Sequence, residues 1–348
     1  MISLDQFRPV SRLEAQGEQR LVSRFPVLDA HSHLTRTKDA AALVENMDRY
    51  NIRMIVDMDG YWDGRMDEQL RLFVDRYPGR FSIFCRIDLS DVDAEDFPQK
   101  TADYLARCVQ KGAAGIKFSK SLGVKMQDRA GRYLLPDDDR LQIVWDTAAR
   151  FDLPVTIHVG DPPSFFDGVI DGSHERYEEL AEHPNWSYGR RPCPRFPALL
   201  EAQENLLRKN PDVRFIVAHV GSYAENLREV SRMLDAYPNM YVDTAERISE
   251  LGRQPYTARD FLLRYQDRVL YGTDLLPADA NISGNYRFFE TRDEYFPYNS
   301  LDEHNQGRWN IYGVYLPDEA LRKIYYGNAL RVIPRLKDVL GDPPEEWK

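Results

Sequence analysis

The residues best equipped for chemistry in this 348-residue chain stand near its start: His31, Ser32 and His33, directly after Val27-Leu28-Asp29-Ala30. The apolar run before them reads as a short strand. Side chains alternate faces along a strand, so positions i and i+2 project together. His31 and His33 therefore leave the strand end as two imidazoles on one side, a pair suited to zinc or a related divalent ion. A lone His-x-His is more often incidental, so its weight depends on matching ligands elsewhere.

Such matches exist. His158 and His219 also end apolar runs, and Asp274 closes Val269-Leu270-Tyr271-Gly272-Thr273. His174, His183 and His304 lie instead in long connecting stretches. Each histidine taken singly reads as a hydrogen-bonded core residue. Four of them at strand ends, joined by an acidic strand end, make a nitrogen and oxygen donor set. That set suits zinc best, with manganese or iron as alternatives.

The donors can converge only if the strands do. Eight β-rich runs recur at 27–31, 53–58, 81–87, 114–118, 154–159, 213–219, 240–243 and 269–273. Most are continuously apolar, as strands buried on both faces of a parallel sheet are. Helical patterns fill the intervals, at 40–47, 68–77 and 199–209 among others, and Pro154, Pro211 and Pro238 punctuate helix-to-strand joints. Repeated β-then-α units predict a (β/α)8 TIM barrel, with a doubly wound open sheet as the alternative. In a barrel the C-terminal ends of strands one, five, six and eight face one centre. The long loops 160–196 and 275–316 follow the fifth and eighth strands on that same face. Their aromatic residues are expected to build a satellite core or a subunit contact more than to touch substrate. Residues 1–26 read as an N-terminal extension and 27–348 as one domain.

Bulk properties narrow the function classes. The net charge of −10 argues against a broad basic surface for nucleic acid. Three scattered cysteines make no disulfide framework. No apolar leader or membrane-length apolar run occurs, so the cytoplasm is the simplest location. Phosphate-loop, dinucleotide and nucleophile-elbow motifs are absent. Ser222 reads as an N-cap of the helix after the sixth strand.

Taken in order, five segments resemble the amidohydrolase superfamily, in particular its amidohydrolase-related branch of metal-dependent hydrolases and decarboxylases. They are Leu28 to His33, Pro154 to His158, Phe215 to Gly221, Tyr271 to Asp274 and Tyr326 to Ala329, and the likeness spans 27–333. The resemblance implies a barrel with a metal at its C-terminal face. His31, His33, His158 and Asp274 would be ligands. His219 would act on the substrate or, in a binuclear site, hold a second metal. Lys117, at the end of the fourth strand, has three readings: a carboxylated bridge between two metals, a cation for a substrate carboxylate, or a structural ion pair.

The implied reaction is hydrolysis of an amide, lactone or ester in a small molecule. The ion would activate a water, Asp274 would take its proton and return it to the leaving group, and His219 would polarise the carbonyl or hold the water. Lys117, Arg86 or Arg247 would position an anionic substrate, although structural pairing is the commoner fate of such arginines. The alternative is non-oxidative decarboxylation of an aromatic or unsaturated carboxylic acid. A further alternative is a barrel that binds metal without catalysis. Self-association is compatible with either enzyme.

Overall fold

The computed structural model describes residues 12–14, 17, 20–298 and 306–342. His304 and most of the N-terminal extension lie outside them. Eight parallel strands pair in sequence order: β1 (Val27–Ser32), β2 (Ile52–Gly60), β3 (Phe81–Cys85), β4 (Gly115–Phe118), β5 (Val155–Ile157), β6 (Phe215–Val217), β7 (Met240–Asp243) and β8 (Val269–Leu270). Helices separate them, as parallel neighbours require. Main-chain hydrogen bonds from Ala30 N to Tyr271 O and from Asp274 N to His31 O draw the β8 end against β1. The result is the expected (β/α)8 barrel, nearly closed.

Two apolar clusters account for its packing. The larger fills the space between strands and surrounding helices, with Phe81, Trp145, Phe215 and Leu262 among its fully covered members. The smaller lies inside the barrel. There Leu28, Met54, Phe84 and Ile216 meet Tyr326, Leu330 and Ile333 of the C-terminal helical segment, which stops one end of the barrel.

Simple alternation does not aim His31. Leu28 and Ala30 both belong to the inner cluster, so strict alternation would turn His31 outward. A register shift between Asp29 and Ser32 in the β1–β2 pairing intervenes, and His31 points inward, across to Lys117 of β4. Gly272 makes the room: a Cβ there would sit 2.9 Å from the His31 Cβ.

Several local expectations change. The 68–77 helix is an α-helix at Arg65–Gln69 continued by a π-helical stretch at Leu70–Val74. Ser222 is not an N-cap. It adopts φ 62°, and the helix beyond β6 starts later, at Leu227–Ala236, capped by the Asn226 side chain on Glu229 N. The segment after β8 is not plain loop either. It contains the helix Asp279–Glu290 and a small antiparallel pair, β9 (Phe296–Pro297) with β10 (Asn310–Ile311). Tyr286, Phe288 and Phe289 are fully buried there beside Tyr271 and Tyr325, as part of the larger apolar cluster and not as the separate satellite core expected. Among the described residues, no helix is long and apolar enough to cross a membrane.

Candidate metal centre and catalytic cleft

Each imidazole of the first strand is held from behind by a buried carboxylate. His31 Nδ1 lies 2.8 Å from Asp243 Oδ2, and His33 Nδ1 lies 2.8 Å from Asp59 Oδ1. An ionised carboxylate can only accept, so both Nδ1 atoms carry the hydrogen and each ring turns Nε2 to the barrel centre, where His33 Nε2, beside Asp274, must lose its own proton before it can hold a metal. His33 Nε2 is 3.1 Å from Asp274 Oδ1. One donor atom from each of His31, His33 and Asp274 lies within 4.8 Å of the others, a grouping that could hold a metal ion. The site is thus built where β8 closes on β1. Asp29 ties the two together: its carboxylate accepts from His31 N, Thr273 N and Thr273 Oγ1.

The other two expected histidines stand one step aside. His219 Nδ1 is 2.9 Å from the Ala245 carbonyl, and His219 Nε2 is 3.1 Å from His158 Nδ1. The carbonyl fixes a hydrogen on His219 Nδ1, leaving Nε2 to accept from His158 Nδ1–H. His158 Nε2 then carries a lone pair, and it is buried without a hydrogen-bond partner. Its nearest acid is Asp161, whose Oδ1 is 3.5 Å away. An orphaned, tautomer-fixed imidazole nitrogen beside a His-His-Asp group is a donor that a divalent ion would satisfy. His158 is nonetheless not among the three clustered donors. The donor chemistry and the carboxylate tethers fit a divalent ion.

Burial drives the local electrostatics. It pushes the pKa of His31 down, pushes His158 down to about 4 and keeps His219 well below the usual range, so these rings are neutral at pH 7. Burial also works against charge on His33, yet its hydrogen bonds to Asp274 and Asp59 prevail and raise it. Asp274 is buried too, but His33, His31 and His219 hold its carboxyl well below the ordinary carboxylate range.

The three expected substrate cations have separate fates. Lys117 is 3% exposed, with Nζ 2.9 Å from His31 Nε2. Burial lowers its pKa to about 8. Its partner is an imidazole; no carboxylate among the described residues lies within ion-pair distance, which corrects the structural ion-pair reading. An ion on His31 and the Lys117 ammonium would contest one lone pair. Arg86 spends its donors on Met58 O, Tyr61 Oη and Asp59 Oδ1, so it steadies the carboxylate behind His33 and does not line the cleft. Arg247 does line it, with Nη1 2.7 Å from Glu246 O.

That cleft has a volume of about 300 Å³ and opens over His158, His219 and Asp274. Its walls come from both long segments: Phe165, Arg176 and Trp186 from the one after β5, Gln306 from the one after β8. Sequence reading missed Asp59, Asp243, Glu246 and Gln306. The first three end or follow strands, the same signal that singled out Asp274. Gln306 gave none, because its place depends on how a distant loop folds back.

Three comparisons bear on this geometry. The family model described as Amidohydrolase matches residues 13–335. No curated protein sequence matches the chain. Solved structures share the fold at low identity. A dihydroxybenzoic acid decarboxylase from Polaromonas sp. JS666, with bound manganese and 2-nitroresorcinol, is 19% identical at TM-score 0.56, over 89% of this chain and 97% of that one. A 4-oxalomesaconate hydratase from Rhodopseudomonas palustris is 14% identical at TM-score 0.54, over 90% and 97%. A 5-carboxyvanillate decarboxylase from Novosphingobium aromaticivorans, complexed with manganese, is 13% identical at TM-score 0.51, over 92% and 100%. With the family model covering most of its length and the barrel and strand-end donors in place, the chain belongs to the amidohydrolase family.

Proposed function

We propose that the protein is a metal-dependent hydrolase acting on an amide, lactone or ester in a small anionic molecule. The observation that carries the reading is the position of Asp274. One carboxylate oxygen is 3.1 Å from His33 Nε2 in the donor group, and the other is 3.9 Å from His219 Nε2. An ionised carboxylate between the metal donors and a neutral histidine is placed to take a proton from an attacking water. A bound divalent ion would supply Lewis acidity, drawing charge from a substrate oxygen and acidifying water. His31, His33 and Asp274 would hold it, with the unpartnered His158 Nε2 as a further donor. Two nitrogens and a carboxylate suit zinc; manganese, named for two of the fold neighbours, suits the same set.

The tautomers refine the role of His219. Its hydrogen is committed to the Ala245 carbonyl, so Nε2 is an acceptor. That lone pair already accepts from His158 Nδ1–H, so His219 supports His158 more directly than it acts on a water or a carbonyl. Arg247 supports an anionic substrate: it lines the cleft at 7% exposure, and among the described residues no carboxylate lies within ion-pair distance of it.

Decarboxylation of an aromatic acid is the second reading. It is favoured by the cleft's aromatic wall, where His183 stacks on Trp186 at 4.1 Å between ring centroids and Phe165 lies beside them. Metal analysis of the purified protein, followed by assays on lactones, amides, esters and aromatic acids, separates the two. Hydrolysis to the free acid without carbon dioxide supports the first reading, and carbon dioxide release replaces it with the second. Two metals per chain, one lost in Lys117→Ala, would bring back the carboxylated bridge.

A further inference from the structure

Three acid or base side chains of the cleft sit at the C-terminal ends of consecutive strands, and all three occupy the left-handed backbone region. They are His219 after β6 (φ 58°), Glu246 after β7 (φ 53°) and Asp274 after β8 (φ 62°). Non-glycine residues seldom adopt this region, and they hold it only where the surrounding structure imposes it. The same backbone device aims two residues with work in the proposed reaction. The third, Glu246, has none yet.

Glu246 is also held in place. Gln306 Nε2 donates to Glu246 Oε2 at 2.8 Å, while Ser249 Oγ donates to Gln306 Oε1 at 2.6 Å and Gln306 N donates to Tyr298 Oη at 2.8 Å. The Glu246 carbonyl, which can only accept, also lies 3.4 Å from Gln306 Nε2 and supports that amide orientation, and one carboxyl oxygen of Glu246 is left for the cleft. No described hydrogen bond joins Glu246 to His31, His33, His158 or Asp274.

We propose that Glu246, in place of Asp274, is the proton donor to the leaving group, from the cleft that both residues line. This rests on the hydrolase reading. The surroundings agree with the division of labour. Burial, then the negative charge of Asp274, push the Glu246 carboxyl up to about 8, against the pull of Arg247 and Arg36, with Glu250 adding to the push.

The step balances as follows. The water oxygen bonds to the acyl carbon as Asp274 takes one of its protons. The bond from that carbon to the leaving oxygen or nitrogen breaks, its electron pair goes to the leaving atom, and that atom takes the proton of Glu246. Exchange with solvent through the open cleft then restores both carboxyls.

The test compares two substrates with the same acyl group, an alkyl ester or amide and a nitrophenyl ester, whose leaving group departs without a proton. In Glu246→Gln, kcat/KM for the alkyl substrate should fall about 10²–10⁴-fold, while the nitrophenyl ester stays within a few-fold. Glu246→Asp should recover part of the loss. An equal fall on both substrates, or no fall on either, overturns the proposal. A wild type that hydrolyses neither breaks the hydrolase reading itself. Infrared difference spectra at neutral pH give a measurement without turnover. The carbonyl-stretch band of protonated carboxylic acids, to which Asp29 and Asp57 also contribute because burial pushes both up to about 7, should lose intensity in Glu246→Gln, and an unchanged band would also overturn the assignment.

Discussion

Inside the barrel, the end stopped by the C-terminal helices is lined by Leu28, Met54, Phe84 and Ile216 packed on Tyr326, Leu330 and Ile333. The opposite end buries Asp29, Asp57, Asp59, Asp243 and Lys117, none more than 3% exposed. Apolar burial stabilises at every contact, whereas buried charge costs free energy unless each group finds a partner. The charged end therefore contributes little net stability and much positioning. Asp243 shows the pattern: one oxygen accepts from His219 N and Ala245 N, the other from His31 Nδ1. A single carboxylate sets the direction of two histidines on different strands. Stability and chemistry are thus concentrated at separate ends of one barrel, and substitutions at the two ends should separate them as well.

The largest effect is expected at the charged end. Asp274→Asn should lower kcat about 10²–10⁴-fold with little change in thermal midpoint, as read by steady-state kinetics beside calorimetry. Turnover close to wild type would refute the role given to Asp274. Next comes the apolar end. Leu330→Ala should cost ~2–5 kcal/mol of stability, measured by urea unfolding, with kcat per folded molecule unchanged. A fall in kcat matching that of Asp274→Asn would erase the distinction between the ends.

Smaller again is a change behind a ligand. Asp243→Asn should weaken metal binding about 10–100-fold, read by competition with a chelator, and unaltered affinity would remove its tether of His31 from the metal site. The smallest effect is a pH dependence. Burial raises the Asp161 carboxyl, but the Lys120 ammonium, 2.7 Å away, is first among the groups that outweigh it and hold it below its ordinary pKa. A depressed carboxylate stabilises the fold above its unfolded pKa, near ~4, and loses that contribution as pH falls toward the folded value. Asp161→Asn should therefore be less stable than wild type near neutrality, with the gap narrowing in acid. A gap that widened on acidification would contradict the sign.

Much of this was readable in the chain because the signals are local. Continuous apolar runs located all eight strands, and strand-terminal His31, His33 and Asp274 were recognisable by type and place. Asp243 and Glu246 carried the same strand-end signal yet look ordinary until His31 and the cleft are seen beside them. Ser222 misled for a related reason. It follows a strand as an N-cap should, but a left-handed turn from His219 to Ser222 delays the helix to Leu227. Nothing in the local pattern marks that turn, because its purpose is to aim His219 across the barrel.

By itself the sequence determined the eight barrel strands and the helical character between them, the end of the barrel that carries chemistry and the donor types available there. Periodicity and apolar runs act over a few residues, and they are written in the chain. Only the tertiary structure decided which nitrogen of each histidine faces the centre, that Lys117 meets His31, that Arg86 serves Asp59 and that Gln306 returns to hold Glu246. Those outcomes depend on distances between residues dozens to hundreds of positions apart. They follow from barrel closure, burial and the hydrogen bonds that buried groups must find, none of which has a period in the sequence.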